Sequence, residues 1–202
     1  MLGTKILEER KSKYNGDIKV IRSLGFGTYI QVNNLTQSGG VVENIWNQTL
    51  KKVHKSLVTN HQSLILGLGG GTVAKLIRKY WPKSKIIGVE IDPVMVELGT
   101  RYLALDTSKT KIVISDAYDF CETSAYDLVI VDIYCGDVFP KKFEQEEFLK
   151  KLTKNKLIIF NRLYFGEKRK EVVKFGSKLE KVFKRVDWFY PQANLMFLCY
   201  NR

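Results

Sequence analysis

The stretch that most constrains this chain is Leu64-Ile-Leu-Gly-Leu-Gly-Gly-Gly-Thr72, an unbroken apolar run that passes through four glycines into a helical pattern. Consecutive large apolar residues without polar alternation fit a strand covered on both faces. The glycines at 67, 69, 70 and 71 allow a tight turn and let a ligand approach bare backbone with no Cβ in the way. Thr72-Val-Ala74 follows them, where a phosphate-cradling P-loop would need a lysine and a hydroxyl residue.

Around this stretch, short β-rich runs alternate with helical patterns. The runs are Ser63–Leu66, Lys85–Val89, Lys111–Ile114, Asp127–Val131 and Lys156–Phe160. The helical patterns between them are Thr72–Trp81, Pro93–Leu103, Phe143–Leu152 and Glu167–Phe183, and two further strands, Val186–Tyr190 and Leu195–Tyr200, end the chain. Such alternation builds a parallel sheet with helices on both faces. The expected fold is therefore α/β, a doubly wound Rossmann-like seven-stranded sheet, mostly parallel with an antiparallel C-terminal edge. Before it, Ile18–Ile21 and Thr28–Val32 flank a turn-rich segment and predict a small N-terminal β-hairpin, followed by a helix over Glu43–Lys55. The expected division is an extension over 1–55 and a nucleoside-binding domain over 56–202, since 202 residues suit one full core and little more.

The ends of the predicted strands carry acids. Glu90 stands 19 residues past Gly71, in Gly88-Val-Glu-Ile-Asp92, where a carboxylate can accept both hydroxyls of a ribose. Asp116 and the backbone N–H of Ala117 end the next strand, and Asp132 ends the one after. Ligands in open parallel sheets bind at the carboxyl ends of the strands near the switch point. The glycines, Glu90, Asp116 and Asp132 all fall there, with Tyr134 and Tyr118 near enough to line an acceptor pocket. His54 and His61 have no Cys or acidic partner at ligand spacing, so no metal is expected.

On these motifs, about four fifths of the chain resembles the spermidine synthase (polyamine aminopropyltransferase) branch of the class I S-adenosylmethionine-dependent methyltransferase fold. The resemblance implies that Gly67, Gly69, Gly70, Gly71, Gln37, Glu90, Ile91, Asp116 and Ala117 hold S-adenosylmethionine or its decarboxylated form. It also implies that Asp132 deprotonates or orients an attacking amine, with Tyr134, Asp137 and Trp46 beside the substrate. Three departures set this chain apart. Gly70 stands where aminopropyltransferases carry an aspartate for the aminopropyl group; Trp46-Asn-Gln48 replaces a tyrosine-led triplet; Cys135 takes the place of a second signature aspartate, leaving Asp137 to substitute for it. The expected activity is methyl transfer to an unknown small-molecule acceptor, an amine among the candidates, with aminopropyl transfer the alternative and a basic nucleic-acid-binding protein or nucleic-acid methyltransferase the second.

The formal charge is +12, of which residues 141–202 contribute +9. Most of this lies around the apolar stripe Val172, Phe175, Leu179, Val182 and Phe183, which reads as a solvated outer helix face, with nucleic-acid binding left open but not favoured. Near the strand ends the residues are acidic instead: Asp116, Asp119, Glu122, Asp132 and Asp137 are expected to share one crevice. No apolar run is long enough to span a membrane. Three widely spaced cysteines, Cys121, Cys135 and Cys199, fit no disulfide framework and predict a reducing, cytoplasmic setting. A homodimer is left open by the resemblance.

Overall fold

The structure, a computed structural model, describes residues 3–120 and 124–201. Four N-terminal strands, β1 (Thr4–Ser12), β2 (Gly16–Ser23), β3 (Gly27–Val32) and β4 (Leu35–Gly39), form an antiparallel sheet in sequential order. Helix α1 (Gly40–Val53) leads into β5 (Gln62–Leu66), α2 (Thr72–Tyr80), β6 (Lys85–Glu90), α3 (Pro93–Tyr102), β7 (Thr110–Ile114) and β8 (Leu128–Val131). The chain continues through α4 (Glu146–Leu152), β9 (Leu157–Leu163), α5 (Lys168–Val182), β10 (Arg185–Phe189) and β11 (Asn194–Tyr200).

The second sheet has seven strands in the order β10-β11-β9-β8-β5-β6-β7. Its five inner-to-edge strands β9-β8-β5-β6-β7 are parallel, and β11 and β10 close it antiparallel. The chain runs outward from β5 to β7, then returns to β8 on the other side of β5. A crevice must open where neighbouring connections diverge, between the carboxyl ends of β5 and β8.

The apolar runs recognised in the sequence are buried on both faces, as expected. Val129, Val131, Ile158 and Phe160 pack with Phe143, Phe148, Phe175 and Leu179 on one side. Ile65, Ile130 and Ile159 pack with Trp46, Leu50, Leu76 and Ile77 on the other, so α1 belongs to the core of the large sheet. Burying residues of this size contributes about 1.5–3 kcal/mol each. The lysines of α5 at 170, 174, 178 and 181 face solvent, while Val172, Phe175 and Leu179 are buried.

The N-terminal extension is a four-stranded sheet rather than the two-stranded hairpin of the sequence reading. β1 escapes notice because it is largely charged and mostly exposed, held by its ladder to β2 rather than by burial. Ile18, Val20, Ile30 and Val32 from β2 and β3 pack on Met95, Leu98 and Leu103 of and after α3. This sheet is pinned beside the crevice: Asp92 caps α3 through Val94 N–H and accepts hydrogen bonds from Ser12 Oγ and Asn15 Nδ2.

Candidate active site

The glycine turn after β5 divides its labour. Gly67, at φ +88°, lies against the end of β8, and a Cβ placed there would sit 2.1 Å from the Asp132 carbonyl oxygen. Gly67 and Leu68 both donate to the Val89 carbonyl, so the turn bridges β5 to β6 and leaves Gly67 and Gly69 on the crevice wall. Gly70 and Gly71 are buried and face away: Cβ atoms there would meet Ile30, Leu103 and Ser38, or Leu105. Their role is close packing of the turn against β3, β4 and the segment after α3. The extension fixes the turn, with Ser38 Oγ accepting from Gly70 N–H and Gly39 N–H donating to Thr72 Oγ1, each at 2.8 Å.

The crevice encloses about 330 Å³ and is mainly apolar, which suits a nucleoside-sized ligand. Glu90, 8 % exposed, accepts Gly69 N–H at 2.7 Å and Asp92 N–H at 2.9 Å. Burial pushes its carboxyl above the ordinary range, and the backbone N–H groups of Asp92, Gly69 and Ile91 work against that shift. A carboxylate has about four lone-pair positions, so acceptor capacity remains on the crevice side that could serve ribose hydroxyls. Ile91 and Ala117 line the same wall. Asp116 is held by Lys142 Nζ at 2.5 Å and by Tyr118 N–H at 2.9 Å. Burial works against its charge, but these bonds prevail and keep the carboxyl below its usual range.

Asp132 follows β8 directly, and its backbone N–H donates to the Leu66 carbonyl, which fixes the acid beside the glycine turn. It is partly accessible from the crevice, yet its carboxyl lies deep. Trp46 Nε1–H donates to Oδ2 at 2.8 Å, and Asn161 Nδ2–H donates to Oδ1 at 2.7 Å. Desolvation raises the carboxyl from 3.8 to about 6, and the two donors oppose that rise. Asn161 in turn accepts from Asn194 Nδ2 at 2.7 Å. Neither asparagine was distinguishable in the sequence, because an Asn in an apolar run has no local signature; only strand pairing brings β9 and β11 behind Asp132.

The segment after Asp132 forms the outer wall. Cys135 and Val138 make a short antiparallel bridge, and Gln37 Nε2 donates to the Gly136 carbonyl at 2.9 Å. Gln37 therefore touches the crevice while tethering this wall to the extension. Tyr134 lines the crevice with its ring, while its hydroxyl donates to the Asn161 carbonyl and accepts Leu163 N–H. Burial pushes that hydroxyl well above its ordinary range.

Two expected substrate contacts lie elsewhere. Trp46 is fully buried and does not reach the crevice surface; its indole acts on Asp132 instead. Asp137 is exposed and pairs with Lys168 at 2.9 Å, outside the crevice, whereas Cys135 lines it. The acidic crevice is accordingly sparser than expected. Among the described residues its lining carboxylates are Glu90, Asp116 and Asp132. Asp119 is exposed, and Glu122 lies outside the described residues, as does Cys121.

A seven-stranded sheet with a glycine turn and an acid at each neighbouring strand end defines the class I methyltransferase-like fold. Within that class, the spermine/spermidine synthase domain matches residues 43–190, and the chain belongs to this family. A mouse eEF1A lysine and N-terminal methyltransferase is 32 % identical over 102 residues, which are 44 % of this chain and 15 % of the mouse protein. A polyamine aminopropyltransferase of Vibrio vulnificus is 33 % identical over 92 residues, 43 % of this chain and 31 % of that enzyme. The chain thus matches less than a third of either relative's length. A probable spermidine synthase from Corynebacterium glutamicum shares the fold at a TM-score of 0.81 with 18 % identity, covering 98 % of this chain and 81 % of that one. Human methyltransferase-like protein 13, solved in complex with SAH, does so at 0.61 with 22 % identity, covering 80 % of each.

Proposed function

We propose that the protein is a transferase that moves a methyl group from S-adenosylmethionine to a single amine of its acceptor. The observation that carries this reading is that Asp132 is the one crevice carboxylate beyond the two at the nucleoside end, among the described residues. A diamine presents two positive charges and calls for more than one acid. Position 70, where aminopropyltransferases have an aspartate, points into the packing of Ile30, Leu103 and Ser38. A carboxylate there would not face the crevice in this arrangement.

The residues present fit an S-adenosyl ligand. Gly67 and Gly69 offer bare backbone, Glu90 keeps acceptor capacity for hydroxyls, and Asp116 with Ala117 N–H stands at the adenine end. Such a ligand supplies an alkyl carbon on a sulfonium, with a neutral thioether as leaving group. The chain's own task is alignment, since a nucleophile held about 3–3.5 Å from the carbon reacts far faster than one free in solution. Asp132 accepts an N–H of the acceptor amine, orients it and takes or steers its proton. The matched eEF1A lysine and N-terminal methyltransferase supports an amine acceptor.

Calorimetry should show binding of S-adenosylmethionine that weakens about 10–100-fold in Glu90→Ala, the effect of losing hydrogen bonds to a charged group. Methyl-labelled S-adenosylmethionine should then label lysine-containing acceptors, while its decarboxylated form with putrescine yields no spermidine. Spermidine formation would replace this reading with aminopropyl transfer, which the matched Vibrio enzyme supports. Absence of any nucleoside binding would remove both.

A further inference from the structure

Behind Asp132 stands a directed chain of amides that the reaction as proposed does not yet use. Asn161 on β9 and Asn194 at the start of β11 are each 6 % exposed. Asn194 pairs in register with Leu163, which sets it diagonally across the ladder from Asn161. A carboxylate only accepts, so Asn161 must turn its NH2 group to Asp132 Oδ1 and its oxygen the other way. That oxygen receives Asn194 Nδ2–H at 2.7 Å. The donors therefore run in one sense, Asn194 to Asn161 to Asp132, and end on the carboxylate. In a low-dielectric interior such chains polarise one another in the same sense.

We propose that Asn161 and Asn194 are positioning residues for Asp132: Asn161 holds the carboxylate charged and fixed in orientation, and Asn194 locks Asn161 the right way round. This rests on the reading of Asp132 as the acid that receives the acceptor amine. With Oδ2 held by Trp46 and Oδ1 by Asn161, the carboxylate cannot rotate, and its remaining lone pairs serve the crevice. Among the described residues, the other charged or titratable groups lining that space are Glu90, the Asp116–Lys142 pair, Tyr14 and Cys135, with Tyr134 beside Asp132 and Arg162 next to Tyr134. None of them is hydrogen-bonded to the Asp132 carboxylate.

The test is the titration of Asp132 itself, followed by carboxyl carbon NMR in the full chain, together with turnover. Asn161→Leu should raise the Asp132 midpoint by about one pH unit or more, since a hydrogen bond to a charged group is of that size. It should move the acid limb of turnover upward by the same amount and lower kcat about tenfold, with KM for S-adenosylmethionine unchanged. Asn194→Leu should do the same to a smaller extent, and its effect should vanish when Asn161 is already leucine. An unchanged midpoint in folded Asn161→Leu, or full additivity of the two changes, overturns the proposal. Should the variants not fold, the wild type decides: the Asn161 side-chain NH2 signals must shift with the Asp132 midpoint, and signals that stay fixed refute it. If no transfer is found but the midpoints move as stated, the proposed reaction fails while the positioning role stands.

Discussion

Replacing Asp132 by asparagine is expected to lower turnover about 10²–10⁴-fold, the range for loss of a positioned acid–base group, while affinity for S-adenosylhomocysteine stays within about threefold. The two side chains have the same size, but asparagine carries no charge and has only one acceptor oxygen. Trp46 Nε1–H and Asn161 Nδ2–H both point at this group, so one of them would meet an NH2 instead. Single-turnover labelling beside calorimetry separates the two effects, and turnover within threefold of wild type would remove Asp132 from the reaction.

The same acid gives a pH dependence with a definite sign. Its midpoint is pushed up to about 6 in the folded protein, and it acts in the ionised form, so turnover should rise through about pH 6 and level off above. For stability the direction is opposite. A carboxyl whose folded midpoint exceeds its ordinary 3.8 binds its proton more tightly when folded, so its contribution is greatest below about pH 4 and is lost as pH rises through 6. The melting difference between Asp132→Asn and wild type should therefore move in favour of the variant between pH 4 and 7, by at most about 3 kcal/mol.

Gly67→Ala is expected to be the most damaging single methyl group. Position 67 combines a φ of +88° with a would-be Cβ contact of 2.1 Å to the Asp132 carbonyl oxygen, which is backbone and cannot swing aside. Strain of this backbone kind costs about 1–3 kcal/mol and overpacking about as much again. Together they lower the melting temperature by about 10 °C in a chain of this length. Forcing β5 and β8 apart also moves Asp132 away from the glycine turn, so nucleoside binding should fall with stability. Gly25→Ala provides the comparison: its φ is +91°, but nothing lies within 4 Å, so it bears the strain alone, about 1 kcal/mol. Equal losses at the two positions would show that the approach of Asp132 to the turn is not what makes Gly67 necessary.

The large sheet was legible because its signals are local. Leu64-Ile-Leu66 and Leu128-Val-Ile-Val131 announce strands buried on both faces, and the acids at 90, 116 and 132 mark strand ends that parallel connections must bring to one edge. The extension was only half legible, because β1 is charged and exposed and β4 is short and polar. Trp46 illustrates the limit at the site. Its place in the chain suggested contact with substrate, whereas α1 buries it completely and turns its indole N–H onto the catalytic candidate. Asp137 was misplaced for a related reason: in an irregular segment tertiary contacts set which side chain lines a crevice, and here Cys135 lines it while Asp137 pairs with Lys168.

By itself the sequence determined the fold class and which strand-end residues share one crevice, the glycine turn with Glu90, Asp116 and Asp132, since each follows from residue type at a strand end. Only the tertiary structure decided what that acid is bonded to. Trp46, Asn161 and Asn194 come from α1, β9 and β11, far apart along the chain, and hydrogen-bond direction among them exists only once the strands are paired. It likewise showed that Gly67 and Gly69 line the crevice while Gly70 and Gly71 face packed side chains, because which way a Cβ would point is a property of the folded backbone.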